Sequence, residues 1–214
     1  MKEKKWKSFM KSLNLDNLFK KYQSKNAAYL AWSNHVKSFG IGNLLENDFT
    51  IGTKGNVPDI DDLNAKYNRW NSSTLLNMSI GQGELLLTPI QMANLAAILG
   101  NRGYYKTPHL IKKIHTSIDT INFDFNEKKY CSIDSNHFSS VIYGMETAIE
   151  GRYGTAKSGK LNDVKICGKT GTAQNPHGED HSIFIAFAPK KNPKIAIAVY
   201  VENGGWGSET AVPI

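Results

Sequence analysis

The stretch CGKTGTAQ, residues 167–174, sets a lysine among glycines and hydroxyl residues, just ahead of two apolar runs, IFIAFAP and IAIAVYV. Gly-Lys-Thr is the heart of a phosphate-binding loop, but that loop needs another glycine five residues before the one preceding the lysine. The residue there is Asp163. A strand rather than a helix is expected after the motif, which removes the helix N-terminus that would hold a phosphate. A second chemistry fits better: Lys-Thr-Gly recurs on an edge strand lining a serine acyl-transfer site. Gly171 leaves room for an extended peptide beside the strand. The Thr172 N–H can hold a developing oxyanion. The Thr170 and Thr172 hydroxyls can bind a substrate carboxylate, and Lys169 supplies positive charge and a proton path. On these four residues alone, a glycine-containing strand with an exposed lysine explains the pattern about as well.

The elements that must position this strand are partly visible. Strands are expected over 164–173, 182–188 and 194–201, the last two joined by PKKNPK, short enough to make them antiparallel neighbours. Their near-continuous apolar character calls for helices on both faces. Residues 88–101 read as the clearest helix, with Thr88 as cap, Pro89 in the first turn, Gln91 at the capping-box position and Gly103 to end it. A second amphipathic helix is predicted over 135–149, started by Asp134 or Ser135, with Phe138, Ile142, Met145 and Ile149 on one side. Helical spacing also marks 6–22, with a break near Asn14, and 27–38, which stops at FGIG. PHLIKKI (108–114) reads as a strand and 115–131 as a connection or hairpin. Residues 43–70 read as loop with short extended pieces, and GRYGTAKSGK (151–160) as a glycine-rich loop.

The chain has 214 residues and a net charge of +7, of which residues 1–25 carry eight lysines against Glu3 and Asp16. Among its basic residues only Arg69, Arg102 and Arg152 are arginines. Nucleic-acid readers lean on arginine, so the basic end reads as a solvated helix face and no nucleic-acid partner is expected. Two cysteines are too few for a disulfide scaffold or a zinc site of their own. No apolar run approaches the roughly 20 residues of a membrane helix, and no signal peptide is evident. HGEDH (His177 to His181) could pass for metal ligands, but between two strands it reads as a polar hairpin loop, and no metal site is expected.

MSIGQGELLLTPIQMANLAAILGNRGYYKTPHLIKKI (78–114), with WSNHVKSFGIG (32–42) and ICGKTGTAQNPHGEDHSIFIAFAP (166–189), in that order, resembles the transpeptidase domain of class B penicillin-binding proteins. The IGQGE…TP.QMA wording resembles the elongation type. The resemblance implies an α+β fold, an antiparallel sheet flanked by helices. It also implies a D,D-transpeptidase that cross-links peptidoglycan stem peptides through a serine acyl-enzyme, without a cofactor. Its partners would be stem peptides ending in D-Ala-D-Ala, β-lactams, and other cell-wall elongation proteins in the membrane. The family is anchored in the inner membrane with this domain in the periplasm.

Lys169, Thr170, Gly171 and Thr172 match the family's third motif, K-[ST]-G. Lys169 and Thr172 would be catalytic, and Thr170, Gly171 and Thr172 would bind substrate. The first two motifs, S-x-x-K and S-x-N, find only Ser8 to Lys11 and Ser24 to Asn26, with a further S-x-N at Ser12 to Asn14. Such matches arise by chance at about this frequency, and the spacing and setting are wrong for the family. The genuine motifs are expected upstream of Met1. The expectation is therefore a partial transpeptidase domain over 1–214, incomplete at both ends, with 1–26 a basic helical insert and the chain alone inactive. A non-catalytic binding or structural module is the alternative. Gly81, Gln82 and Gly83 are expected to shape a loop facing the cleft. Cys167 is expected to point away from the Lys169 face as a buried small hydrophobe. Trp32, Trp70 and Trp206 are expected to pack in the core or at the cleft rim.

Overall fold

The computed structural model describes residues 24–45, 48 and 52–214. The helix expected over 6–22, the Ser8 and Ser12 matches and residues 1–23 of the basic insert lie outside them. Ser24 accepts a hydrogen bond from the Ala27 N–H and caps α1 (Lys25–Lys37), a role short hydroxyl side chains fill at helix starts. The serine of that S-x-N match is therefore an N-cap. Two short helices follow, α2 (Ile60–Lys66) and α3 (Ser72–Ser79), each opened by a reciprocal capping box, Asp59 with Asp62 and Asn71 with Thr74. α2 corrects the loop expected over 43–70. At seven residues it is too short for an apolar repeat to show, and the cap is its signal. Tyr29, Leu63, Trp70, Leu75 and Met78 from these elements form one buried cluster, with Tyr29 edge-on to Trp70 at 5.5 Å between centroids.

α4 (Pro89–Asn101) starts as its sequence requires, with Thr88 and Gln91 capping each other and Pro89 in the first turn. It stops at Arg102 and Gly103, both at positive φ, where the Gly103 N–H returns to the Ile98 carbonyl at 2.9 Å. β1 (Tyr104–Tyr105) follows, then the hairpin of β2 (Lys113–His115) and β3 (Thr120–Asn122), then β4 (Lys129–Tyr130), which pairs with β1. The strand expected over 108–114 is thus confined to its last residues. The Leu110 and Ile111 N–H groups instead donate to the Asp48 carboxylate, at 2.9 and 2.6 Å. Asp134 caps a short 3₁₀ turn that leads into α5 (Phe138–Glu150), whose four expected inward residues are all buried.

β5 (Cys167–Ala173), β6 (His181–Ala188) and β7 (Ile195–Val201) form an antiparallel sheet in that order, as the apolar runs and their short connections predict. Lys169 lies opposite Ile185, and Gly171 opposite Ile183. α4 packs on β6 and β7 while α5 follows β5. The core beneath them joins Ile98, Met145, Cys167 and Phe187. On the other face, the described residues provide a helical cover only at the C-terminal end of α5, through Ile149. Ala211 and Val212 of the turn-rich final segment cover Phe184 and Ala186 there, together with Ile149 and Ala156. Ser182, buried on that face, fixes the segment by accepting the Ala211 N–H and donating to the Trp206 carbonyl. Ile195 and Ile197 of β7 remain 58% and 38% exposed.

Candidate active site

β5 is an edge strand among the described residues. In an antiparallel pair, alternate residues exchange both backbone bonds with the partner, and those between turn theirs outward. The outward set can be identified from its acceptors. The Thr170 carbonyl accepts from Lys169 Nζ at 2.6 Å and the Thr172 carbonyl from Gln82 Nε2 at 3.2 Å. Thr170 and Thr172 therefore present their backbone groups to the open edge, and Gly171 pairs inward with β6. Side chains alternate as well: Lys169 and Gly171 share a face with Ile183, Ile185 and Tyr200, given the register.

That face and the open edge border a cleft of about 500 Å³, closed on its other side by Ile80 to Gly83, Leu85 to Leu87, Met92 and Leu95. The four motif residues are brought together on this one wall. No serine lines the cleft among the described residues. Gly81, Gln82 and Gly83 face it as expected, and each letter of GQGE has a separate task. Gly81 and Gly83 adopt φ of +81° and +72°, a left-handed conformation that costs other residues about 1–2 kcal/mol. Gln82 reaches β5, as described. Glu84 turns the other way, accepting from Lys66 Nζ and Tyr67 Oη at 2.7 Å each. Those two bonds, Lys66 first, hold its carboxyl below the usual glutamate range.

Thr155, from the glycine-rich loop, was not anticipated. Its hydroxyl meets that of Thr170 at 3.0 Å, with both on the exposed side. The Thr172 hydroxyl accepts the Gly207 N–H at 3.4 Å. A methyl group on Gly207 would collide with the backbone of β5 and β6, standing 2.6 Å from the Ile183 oxygen, so the final segment lies directly against the motif. His181 also lines the cleft. Its Nδ1 accepts the Asn203 N–H at 3.1 Å, which fixes the ring at the loop between β5 and β6.

Cys167 corrects one expectation and meets another. It stands two residues before Lys169, so the strand's period of two puts both on the same face. It is kept from the cleft because it lies at the core end of β5, fully buried, where burial pushes its thiol up to about 11. A thiol-disulfide exchange reagent is expected to leave both cysteines unmodified in the folded chain and to label both in denaturant. Native-state labelling of Cys167 at the rate of a free thiol would contradict that burial. Trp70 is core, but Trp206 is 65% exposed, because its segment is fixed through the backbone carbonyl rather than through the ring.

The penicillin binding protein transpeptidase domain family matches residues 1–214. Peptidoglycan D,D-transpeptidase MrdA of Haemophilus influenzae is 31% identical over 205 residues, covering 85% of this chain and 31% of the relative. The chain thus spans about a third of that relative's length. Pseudomonas aeruginosa PBP2, solved in complex with WCK 5153, superposes with a TM-score of 0.71 at 32% identity, over 90% of this chain and 45% of that one. Penicillin-binding protein A of M. tuberculosis, as an imipenem acyl-enzyme complex, gives 0.71 at 25% identity, over 87% and 40%. PBP2 of Helicobacter pylori in complex with MreC gives 0.69 at 27% identity, over 82% and 32%. With the family model matching residues 1–214 and the same α+β arrangement in the solved relatives, the chain belongs to the penicillin-binding protein transpeptidase family, class B, elongation type.

Proposed function

We propose that this chain forms the K-T-G wall of the acyl-transfer cleft of a peptidoglycan D,D-transpeptidase. The observation that carries the reading is the outward presentation of Thr172 beside Lys169 on an open edge strand. In the parent reaction a serine oxygen attacks the carbonyl of the penultimate D-Ala. The Thr172 N–H, turned outward with its carbonyl, stabilises the resulting oxyanion. The terminal D-Ala leaves as its amine takes a proton, and an amine of a neighbouring stem peptide then displaces the acylated serine. The Thr170 hydroxyl, joined by that of Thr155, binds the terminal carboxylate, and Lys169 supplies positive charge to the cleft. β-Lactams enter by the same acylation. The parent protein works in the periplasm on an inner-membrane anchor, among cell-wall elongation proteins. Residues 1–214 are part of its transpeptidase domain, and 1–26 a basic insert within it.

The absence of a serine from the cleft lining among the described residues favours a polypeptide that binds without acylating. Two measurements on the 214-residue chain test this. Incubation with a fluorescent penicillin followed by intact mass analysis is expected to give no covalent adduct, and a stoichiometric adduct would falsify the inactivity. Titration with diacetyl-L-Lys-D-Ala-D-Ala is expected to show weak reversible binding. Thr155→Val and Thr170→Val should each weaken it by about 1 kcal/mol, the net worth of a hydrogen bond. If the peptide does not bind at all, the wall has been misread.

A further inference from the structure

Two outward carbonyls of β5, those of Thr170 and Thr172, border the cleft as acceptors that an added peptide strand would use, and in the structure neither is free. Lys169 holds one and Gln82 holds the other. Gln82 is the more informative, since it comes from a loop 90 residues away in sequence. That loop is fixed on both sides. The Gln82 N–H donates to the Asn77 carbonyl at 2.9 Å, and Glu84 is anchored on α2 by Lys66 and Tyr67. Nothing stands within 4 Å of where a side chain on Gly81 would begin. Backbone conformation is what that position demands, and its effect is to aim Gln82 at the strand. The half-buried Gln82 side chain can leave the carbonyl by rotating about its own bonds while the loop stays in place.

We propose that Gln82 is a specificity-determining residue of the cleft that stands in for a backbone N–H of the acyl-donor peptide. Its carboxamide occupies the Thr172 carbonyl when the cleft is empty and yields it to an extended peptide that pairs with the edge. The proposal rests on the reading of β5 as the peptide-binding wall. It makes every productive ligand exchange one donor for another at this oxygen, so that a ligand with no N–H at that position leaves Gln82 in its way.

The test is titration of the 214-residue chain, wild type, Gln82→Ala and Gln82→Met, with diacetyl-L-Lys-D-Ala-D-Ala, followed by NMR. In the wild type, saturation should move the Gln82 side-chain amide signals to positions typical of a solvent-exposed carboxamide. Gln82→Ala removes the competitor, and Gln82→Met keeps its length without a donor. Both are expected to bind the peptide about three- to tenfold more tightly, the scale of one exchanged hydrogen bond. Binding that is unchanged or weaker in both variants overturns the proposal and leaves the wall intact. Peptide binding by none of the three proteins, with all three folded by thermal melting, overturns the wall reading and the proposal with it.

Discussion

Replacing Gln91 by glutamate is expected to cost the fold about 3–5 kcal/mol at neutral pH, the range for a buried charge left without a partner. Gln91 is 1% exposed. Its Nε2 donates towards the carbonyls of Gly40, Asn43 and Lys54, at 3.2, 3.1 and 2.9 Å, while its Oε1 accepts the Thr88 N–H at 2.9 Å. A carboxylate keeps the last bond and turns the other contacts into repulsion between oxygens. Burial then raises the new carboxyl above the ordinary glutamate value of about 4.3. Above that pH the folded state holds its proton after the unfolded chain has lost it, so stability falls as pH rises. Gln91→Met, of similar length and uncharged, should cost about 1–3 kcal/mol with no such pH dependence. Urea denaturation of the two variants across the acidic to neutral range checks this. Equal stabilities throughout would mean that the three carbonyls do not converge on this side chain.

Phe187→Ala is expected to destabilise the chain by about 3–5 kcal/mol, the cost of emptying a fully packed aromatic site. The ring is 1% exposed and lies against Gly100, where a side chain would begin 3.2 Å from it. α4 approaches the sheet this closely only because residue 100 has none. Phe187 is also the register partner of Cys167, so the cavity opens beneath the first residue of the motif strand. For a chain of this size, each kcal/mol moves the thermal midpoint by about 2–4 °C, which predicts a fall of roughly 10 °C. A shift below about 2 °C would show that the sheet is not anchored through this ring.

The sequence exposes the parts of this fold whose signals are local. α4 could be read from Thr88, Pro89 and Gln91, and α5 from the spacing of its four buried residues, because caps and helical periods lie within a few positions of each other. The motif strand was legible through its residue types. What escaped is what joins distant segments. The capping role of Gln91 could be seen, but its hold on residues 40–54 could not, since those carbonyls lie 37 to 51 residues away. The meeting of Thr155 with Thr170 likewise depends on how a loop returns past the sheet. α2 carried a signal in Asp59 and Asp62 that a search for apolar periodicity passes over. The side of Cys167 was a matter of counting strand residues, and the correct count puts it with Lys169.

On the proposed function, β5 is an edge strand open to a peptide; such a strand is also open to another copy of itself, and unpaired strand edges are where proteins associate and aggregate. Of the usual defences β5 has one, the charged Lys169. It contains no proline, and Gly171 puts no side chain on the cleft face. Lys169 and Gln82, by holding the outward carbonyls of Thr170 and Thr172, leave a second molecule fewer bare acceptors on which to begin a ladder. On the proposed reading, the contacts that hold the empty cleft would also disfavour pairing of this edge with a second copy.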